Sequence, residues 1–324
     1  MRGTPEFSIP HLLNYQISQS FMNGVLIIDK PSGLTSHDVV NRVRRILQQP
    51  SVGHLGTLDP LATGVLPLVT GNLTRLAQFY GASEKTYEGI IRFGFATDTY
   101  DSDGEPASSP YTVNVSLEQM QKLASPFIGL MEQMPPPFSA KKIKGVPAYK
   151  LARKHQDVAL KPVQVEIREF EILGVEGDQA SFRTRVASGT YMRSVAHDMG
   201  QRLGCGAHLQ SLRRTVLGEF ALSQAHTLEE LDQACKAGKS EEIFIHPRQL
   251  LPEFPCVTAS EEAAALIRNG RAVNLPELSQ ARQVKVFAGQ RELIAIATRI
   301  AGTLFHPRIV LAAEPVGEVV PRNT

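Results

Sequence analysis

The sequence predicts an α+β fold: a mixed, mostly antiparallel sheet flanked by helices, followed by a small C-terminal β-barrel-like domain. Three observations predict it. Runs of strand length recur early in the chain, at residues 24–31, 65–69 and 85–94. Two period-2 stretches, Val163/Val165/Ile167 and Ala180/Phe182/Thr184/Val186, flank Gly177-Asp178, as in an antiparallel hairpin. Beyond Leu250 the texture changes to short β runs around one short helix.

The first run ends at Lys30-Pro31 and reads as a buried strand. Thr35 or Ser36 then caps a helix. Its Val39, Val40, Val43, Ile46 and Leu47 share one face, leaving Arg42, Arg44 and Arg45 largely outside it. After the strand at 65–69, Leu73, Leu76, Ala77 and Tyr80 mark a short helix. Residues 96–105 form an acidic turn. Asp98, Asp101 and Asp103 do not follow the EF-hand order and no glutamate closes the loop, which excludes a calcium loop of that type. Ser116 and Gln119 make a capping box for a helix whose stripe of Leu117, Met120, Leu123, Ala124 and Phe127 reads as core, with Gly129 ending it. After the hairpin, Thr190 is placed to cap a helix with Met192, Val195, Met199 and Leu203 inside. Pro252 and Pro255 mark a linker. A helix over 260–269 stops at Gly270, and β runs follow at 283–287, 293–298 and 308–311.

Composition bounds the function. The 324 residues suffice for one large domain and a small one, and 42% are apolar. There is no run of eighteen apolar residues, so no membrane span is expected. Cys205, Cys235 and Cys256 are odd in number and far apart, which fits a reducing cytosol and not a disulfide framework or zinc site. His37, His197, His208 and the other histidines lack ligand spacing, so no metal is expected. Net charge is only +2, so any nucleic-acid interaction must rest on clustering. Positive charge does cluster: Lys141, Lys142, Lys144, Lys150, Arg153 and Lys154 follow Pro135-Pro136-Pro137 with no acid among them. With Phe138 and Tyr149 interleaved, this stretch suits a phosphate backbone plus base or sugar contacts. Residues 1–21 have no periodicity and are read as a leader or an expression-derived extension.

The densest signal is Gly53-His54-Leu55-Gly56-Thr57-Leu58-Asp59-Pro60-Leu61-Ala62-Thr63-Gly64-Val65-Leu66. Its glycines permit unusual backbone geometry and Pro60 biases Asp59 towards an extended one, so the loop can fix a single carboxylate beside a ligand. The stretch resembles the catalytic motif of the TruB-type tRNA pseudouridine synthases. The resemblance runs in five ordered segments from Asn23 to Phe220 and includes Lys30-Pro31, Lys85 to Gly94, Pro136 to Tyr149 and Gly206 to Thr215.

That resemblance implies a sheet core of pseudouridine-synthase type over residues 22–250, with the cleft along its middle and a basic thumb-like insertion at about 135–161. A PUA-like RNA-binding domain over 251–324 would follow. It implies conversion of uridine 55 in the T loop of tRNA to pseudouridine by base flipping, without a cofactor. Asp59 would be the catalytic carboxylate, as nucleophile or as base. Arg193 would pair with it, and Tyr87 would stack on the base and handle the C5 proton. His54 would enter the T loop, Lys30 would pack against the catalytic loop, and Tyr191 and Leu212 would line the pocket. Lys141, Lys142 and Lys144 would contact RNA. Arg193 stands in the first turn of its helix, where the helix dipole gives an arginine nothing, so a specific partner is expected. An adjacent arginine can depress a carboxylate pKa by about 1–3 units, so the pair would keep Asp59 charged and aimed. The expected partner is the T-stem loop, and the protein would be a cytoplasmic monomer. Guide-RNA-dependent relatives share the Leu-Asp-Pro loop, but the basic insertion favours the enzyme that needs no guide. An RNA-folding module whose chemistry is incidental is a second alternative. An Asp-dependent hydrolase would need a second carboxylate or a metal cluster near Asp59, and the sequence shows neither there.

Overall fold

The computed structural model describes residues 22–107, 109, 112–139, 142, 143, 146, 147 and 160–311. Residues 1–21, read from the sequence as a leader or extension, Lys141, Lys144 and most of the basic insertion lie outside these residues.

The chain runs β1 (Gly24–Lys30), α1 (Ser36–Ile46), β2 (Val52–His54), β3 (Thr63–Thr70), α2 (Ala77–Tyr80) and β4 (Lys85–Phe93). Next come α3 (Leu117–Ala124), β5 (Gly129–Gln133) and the small hairpin β6 (Lys142–Ile143) and β7 (Val146–Pro147). Then follow β8 (Val163–Glu176), β9 (Gln179–Val186), α4 (Met192–Leu203), β10 (Ala207–Leu217), β11 (Phe220–Ala221), α5 (Leu228–Lys236) and β12 (Phe244–Ile245). The main sheet has the order β12-β1-β3-β10-β4-β9-β8-β5, with β11 on β10 and β2 on β3. Among the described strand pairs of this sheet, only β3–β10 is parallel. A mixed, mostly antiparallel sheet is therefore present, as the sequence predicts.

Both faces of this sheet are covered, which explains why β1 is apolar from Val25 to Ile28. Leu26 and Ile28 pack in a core with Val43 of α1, Met120 of α3, Met199 of α4 and Leu231 of α5. Val25 and Ile27 belong to a second core behind the sheet. The C-terminal sheet supplies the other side of that core. It comprises β13 (Cys256–Ala259), β14 (Val273–Asn274), β15 (Gln283–Ala288), β16 (Glu292–Ala301) and β17 (Leu304–Val310), in the order β13-β15-β16-β17-β14, with α6 (Glu261–Arg268) packed on it. Phe287, Leu293, Ile296 and Ile309 meet Val65, Leu76, Tyr80 and Phe220 from the main sheet side.

Several local expectations are corrected. Thr35, not Ser36, caps α1, in a reciprocal box with Asp38. The Ser116 helix stops at Ala124, because Pro126 turns Ser125–Phe127 into a 3₁₀ segment. Gly129, at φ +107°, opens β5 instead of ending that helix, and Leu117 at the first helical position is 42% exposed, not core. Tyr191, not Thr190, caps α4; the Thr190 hydroxyl donates back to the Ala187 carbonyl. The Pro252–Pro255 stretch is not a free linker. Leu250 and Leu251 are buried in the second core, and the buried Lys285 ammonium donates to the Arg248 and Leu250 carbonyls.

Gly64 fixes the parallel β3–β10 junction. It has φ +94°, and a Cβ there would lie 2.2 Å from the Arg214 carbonyl oxygen. Gly64→Ala is expected to cost about 3 kcal/mol or more, read as a lowered urea midpoint. An unchanged midpoint would mean the two strands can separate freely at this point.

Candidate active site

The Asp59 loop is held almost entirely by its backbone. Arg214, fully buried on β10, donates from Nε to the Val65 carbonyl at 2.7 Å, from Nη1 to Thr57 at 3.2 Å and from Nη2 to Gly56 at 3.0 Å. Burial pushes its pKa down. A Cβ at Gly56 would stand 2.9 Å from Leu217 Cδ1, so a side chain there would have to displace that methyl. On the other side, the Ser36 hydroxyl both accepts from the Leu58 N–H and donates to its carbonyl, at 2.8 and 3.0 Å. The Gly33 N–H and the Lys30 ammonium donate to the Pro60 carbonyl at 2.9 and 3.1 Å.

Asp59 is thereby presented with its side chain free, 41% exposed, towards Arg193. Arg193 Nε lies 2.9 Å from Asp59 Oδ2 but off the N–H direction, so the contact is an ion pair without an aligned hydrogen bond. The rest of the guanidinium is engaged: Nη1 donates to the Thr99 carbonyl at 3.1 Å and Nη2 to the Phe138 carbonyl at 2.9 Å. Nη1 also stands 3.5 Å from Asp101 Oδ2. Burial pushes the Asp101 carboxyl up, against the opposing pull of the Thr99 hydroxyl and Arg193. One arginine thus ties the Asp59 loop, the acidic turn and the start of the basic insertion.

These groups border a cavity of about 370 Å³ lined by Asp59, Tyr87, Tyr191, Arg193, Leu212, Lys85 and neighbouring backbone. Five of the residues singled out in the sequence therefore meet in one place: Asp59, Arg193, Tyr87, Tyr191 and Leu212. Burial pushes the Tyr191 phenol up. Lys30 is not at the cavity wall; its ammonium sits behind the loop, on the Pro31 and Pro60 carbonyls. His54, on β2, also lies off the wall, and burial lowers its pKa. Lys142 lies on β6; its side chain, like Lys141 and Lys144, is outside the described residues. Among the described residues no cluster of His, Cys, Asp and Glu is arranged to hold a metal, and no helix is long and apolar enough to cross a membrane.

Lys30 gives a pH test. Desolvation brings its pKa from 10.5 down to about 8 in the fold, although Asp59 pulls it up. The folded state therefore binds fewer protons than the unfolded chain between these values, and stability gains with rising pH there. The difference in unfolding free energy between wild type and Lys30→Met is expected to move in favour of wild type from about pH 8 to about pH 10.5. A flat difference would show that Lys30 is solvated.

The TruB-family pseudouridylate synthase N-terminal domain model matches residues 44–192, and the tRNA pseudouridylate synthase B C-terminal domain model matches 193–252. A tRNA pseudouridine synthase B from Solibacter usitatus is 50% identical over 293 residues, covering 90% of this chain and 100% of that protein. The chain belongs to the TruB family of pseudouridylate synthases. A second TruB-family relative, the tRNA pseudouridine synthase B of an Azoarcus species, is 37% identical and covers 91% of this chain and 97% of its own. Two solved structures share the TruB-family fold at a TM-score of 0.66 and 24% identity. One is an H/ACA ribonucleoprotein bound to a substrate RNA containing 2′-deoxyuridine, covering 90% of this chain and 85% of that one. The other is a Cbf5–Nop10–Gar1 complex, covering 89% and 85%. Both TruB-family matches end by residue 252, so β13 to β17 lie beyond them.

Around this cavity stand four residues that the sequence did not single out. Arg214 carried a usable signal: counted by twos from Leu212, it falls on the cavity face of β10. Asp101 carried a weaker one, since Thr99 is spaced to bond it locally and does so at 2.5 Å. Buried Gln133 brackets the Tyr191 backbone, accepting from its N–H at 2.8 Å and donating to its carbonyl at 3.0 Å. Nothing in its local sequence announces that. Lys85, at the start of β4, reads as an ordinary strand-end lysine.

Proposed function

We propose that this TruB-family enzyme isomerises uridine 55 in the T loop of tRNA to pseudouridine. The observation that carries the reading is Asp59, held by backbone contacts at the wall of a cavity and ion-paired at 2.9 Å with a buried Arg193. The name shared by its relatives, tRNA pseudouridine synthase B, supports tRNA as the substrate. The target uridine is flipped out of its loop, at a cost of a few kcal/mol. Stacking on Tyr87 returns about 1–3 kcal/mol of that. Tyr191 and Leu212 border the same cavity, His54 fills the space the base leaves, and Lys141, Lys142 and Lys144 contact the RNA.

Asp59 acts on the ribose, by attack at C1′ or by removing a ribose proton. Either route breaks the C1′–N1 bond, lets the base turn, and closes C1′–C5. The proton lost from C5, handled by Tyr87, is matched by one gained at N1. No group is transferred and no electron is gained or lost, so the reaction calls for no cofactor. The same reading makes the protein a cytoplasmic monomer that acts without a guide RNA, with residues 251–324 as a PUA-like RNA-binding domain.

Incubation with an unmodified tRNA transcript and no guide RNA, followed by nucleoside chromatography and site mapping, tests this. The expected result is one pseudouridine, in the T loop. Conversion only when a guide RNA is added, or at another position, would overturn it.

A further inference from the structure

We propose that Lys85 is a further catalytic residue: its ammonium group stabilises the uracil anion that exists once the C1′–N1 bond is broken. The inference rests on the isomerase reading above. In that step the bonding electron pair leaves with the base and spreads onto O2 and O4. C5 then supplies the pair for the new C1′–C5 bond. The negative charge is transient, and a group that meets it only then lowers the barrier without tightening substrate binding.

Geometry points to Lys85 for this role. It lines the cavity, half-buried, together with Asp59, Tyr87 and Leu212. It precedes Tyr87 by two residues on β4, so both side chains leave the same face of the strand. A pyrimidine stacked on Tyr87 would therefore present an edge to Lys85. The ammonium group donates to the Ser83 carbonyl at 2.6 Å, and no carboxylate pairs with it among the described residues. Glu84 and Glu88, the acids nearest in sequence, are taken by Arg168, Arg185 and Arg183. The charge that acts on Lys85 is another cation, Arg214. Asp59 pulls on Lys30 and pushes the Tyr191 phenol up, whereas burial and Arg214 set the shift of Lys85. The cavity thus has an acidic station for the sugar and a cationic one for the base.

A lysine that only held a backbone phosphate would serve as well from the rim, fully hydrated. Half-burying an ammonium group without an acid is costly, and that cost is recovered when an anion forms inside the cavity. Burial first, and then Arg214, bring Lys85 down to about 8, so it is charged at neutral pH and readily shares its proton with an anionic base.

The test compares wild type, Lys85→Met and Lys85→Arg in single-turnover loss of the N1-linked target nucleoside. Two tRNA transcripts are used, one with uridine and one with 5-fluorouridine, whose base is the more stable anion. Lys85→Met is expected to be about 10²-fold slower on uridine, with unchanged tRNA affinity and salt dependence, and Lys85→Arg to recover part of the rate. On 5-fluorouridine the Lys85→Met penalty should shrink about tenfold. A loss confined to affinity, with a salt slope shallower by about one counterion, would overturn the idea in favour of a phosphate contact. An equal penalty on both transcripts would overturn it in favour of a structural role. Should Lys85→Met fail to fold, Lys85→Gln keeps a donor for the Ser83 carbonyl and decides the same question. An inactive wild type would instead overturn the isomerase reading itself, so the two failures are distinguishable.

Discussion

Asp59→Asn is expected to lower the rate of pseudouridine formation by at least about 10³-fold while leaving the fold and tRNA affinity intact. The separation follows from how the loop is built. Arg214, Ser36, Lys30 and Gly33 all grip backbone atoms of residues 56–60, and Asp59 adds its own carbonyl to the Ala62 N–H at 3.1 Å. None of these contacts uses the carboxylate. Asparagine has nearly the same shape and the site is 41% exposed, so its stability cost should stay within about 0.5 kcal/mol, typical of surface changes. What is lost is an anion beside the ribose. Single-turnover assays with filter binding and urea unfolding read the three properties separately. An asparagine variant within tenfold of wild type would mean that another group does the chemistry.

Arg193→Met should differ in kind, because Arg193 works for more than Asp59. Its guanidinium is only 7% exposed and donates to Thr99 and Phe138 carbonyls as well as facing Asp101, itself 6% exposed. Removing it strands a buried carboxylate, a change that typically costs about 3–5 kcal/mol, and misaims Asp59, for which a further loss of about 10²-fold in turnover is expected. A role confined to pairing with Asp59 would leave RNA binding as before. The contact with Phe138, at the entrance to the basic insertion, now predicts weaker tRNA binding too. Arg193→Met with Asp101→Asn separates the effects. Removing the stranded charge should restore most of the urea midpoint, while turnover stays low because Asp59 is still unpaired. Recovery of turnover together with stability would show that Arg193 matters only as a structural tie.

What could be read in advance divides along physical lines. Strands buried on both faces, such as β1 and β3, announce themselves as apolar runs, and the β8–β9 hairpin through its alternation about Gly177-Asp178. Asp59, Arg193, Tyr87, Tyr191 and Leu212 were legible through motif resemblance, and Arg193 also through its odd place at a helix start. Contacts that close over long separations were not legible. Arg214 reaches Gly56 across 158 positions, and Gln133 reaches Tyr191 across 58. Asp101 looked like one more acid in a polar turn, because nothing local reveals that Arg193 turns it inward. The sequence shows no second carboxylate near Asp59, yet the fold brings Asp101 to the same arginine.

The core shared by the two sheets has a consequence for how the molecule meets its substrate. Val25, Ile27, Val65 and Phe220 are capped by Phe287, Leu293 and Ile296, and Arg75 donates to the Val310 carbonyl at 2.8 Å across the same boundary. The C-terminal sheet is therefore a bracket, not a swinging arm. Anything it touches is held at a set distance and bearing from Asp59. Cutting the chain before β13 would bare an apolar wall of Val25, Ile27, Val65 and Phe220 to water.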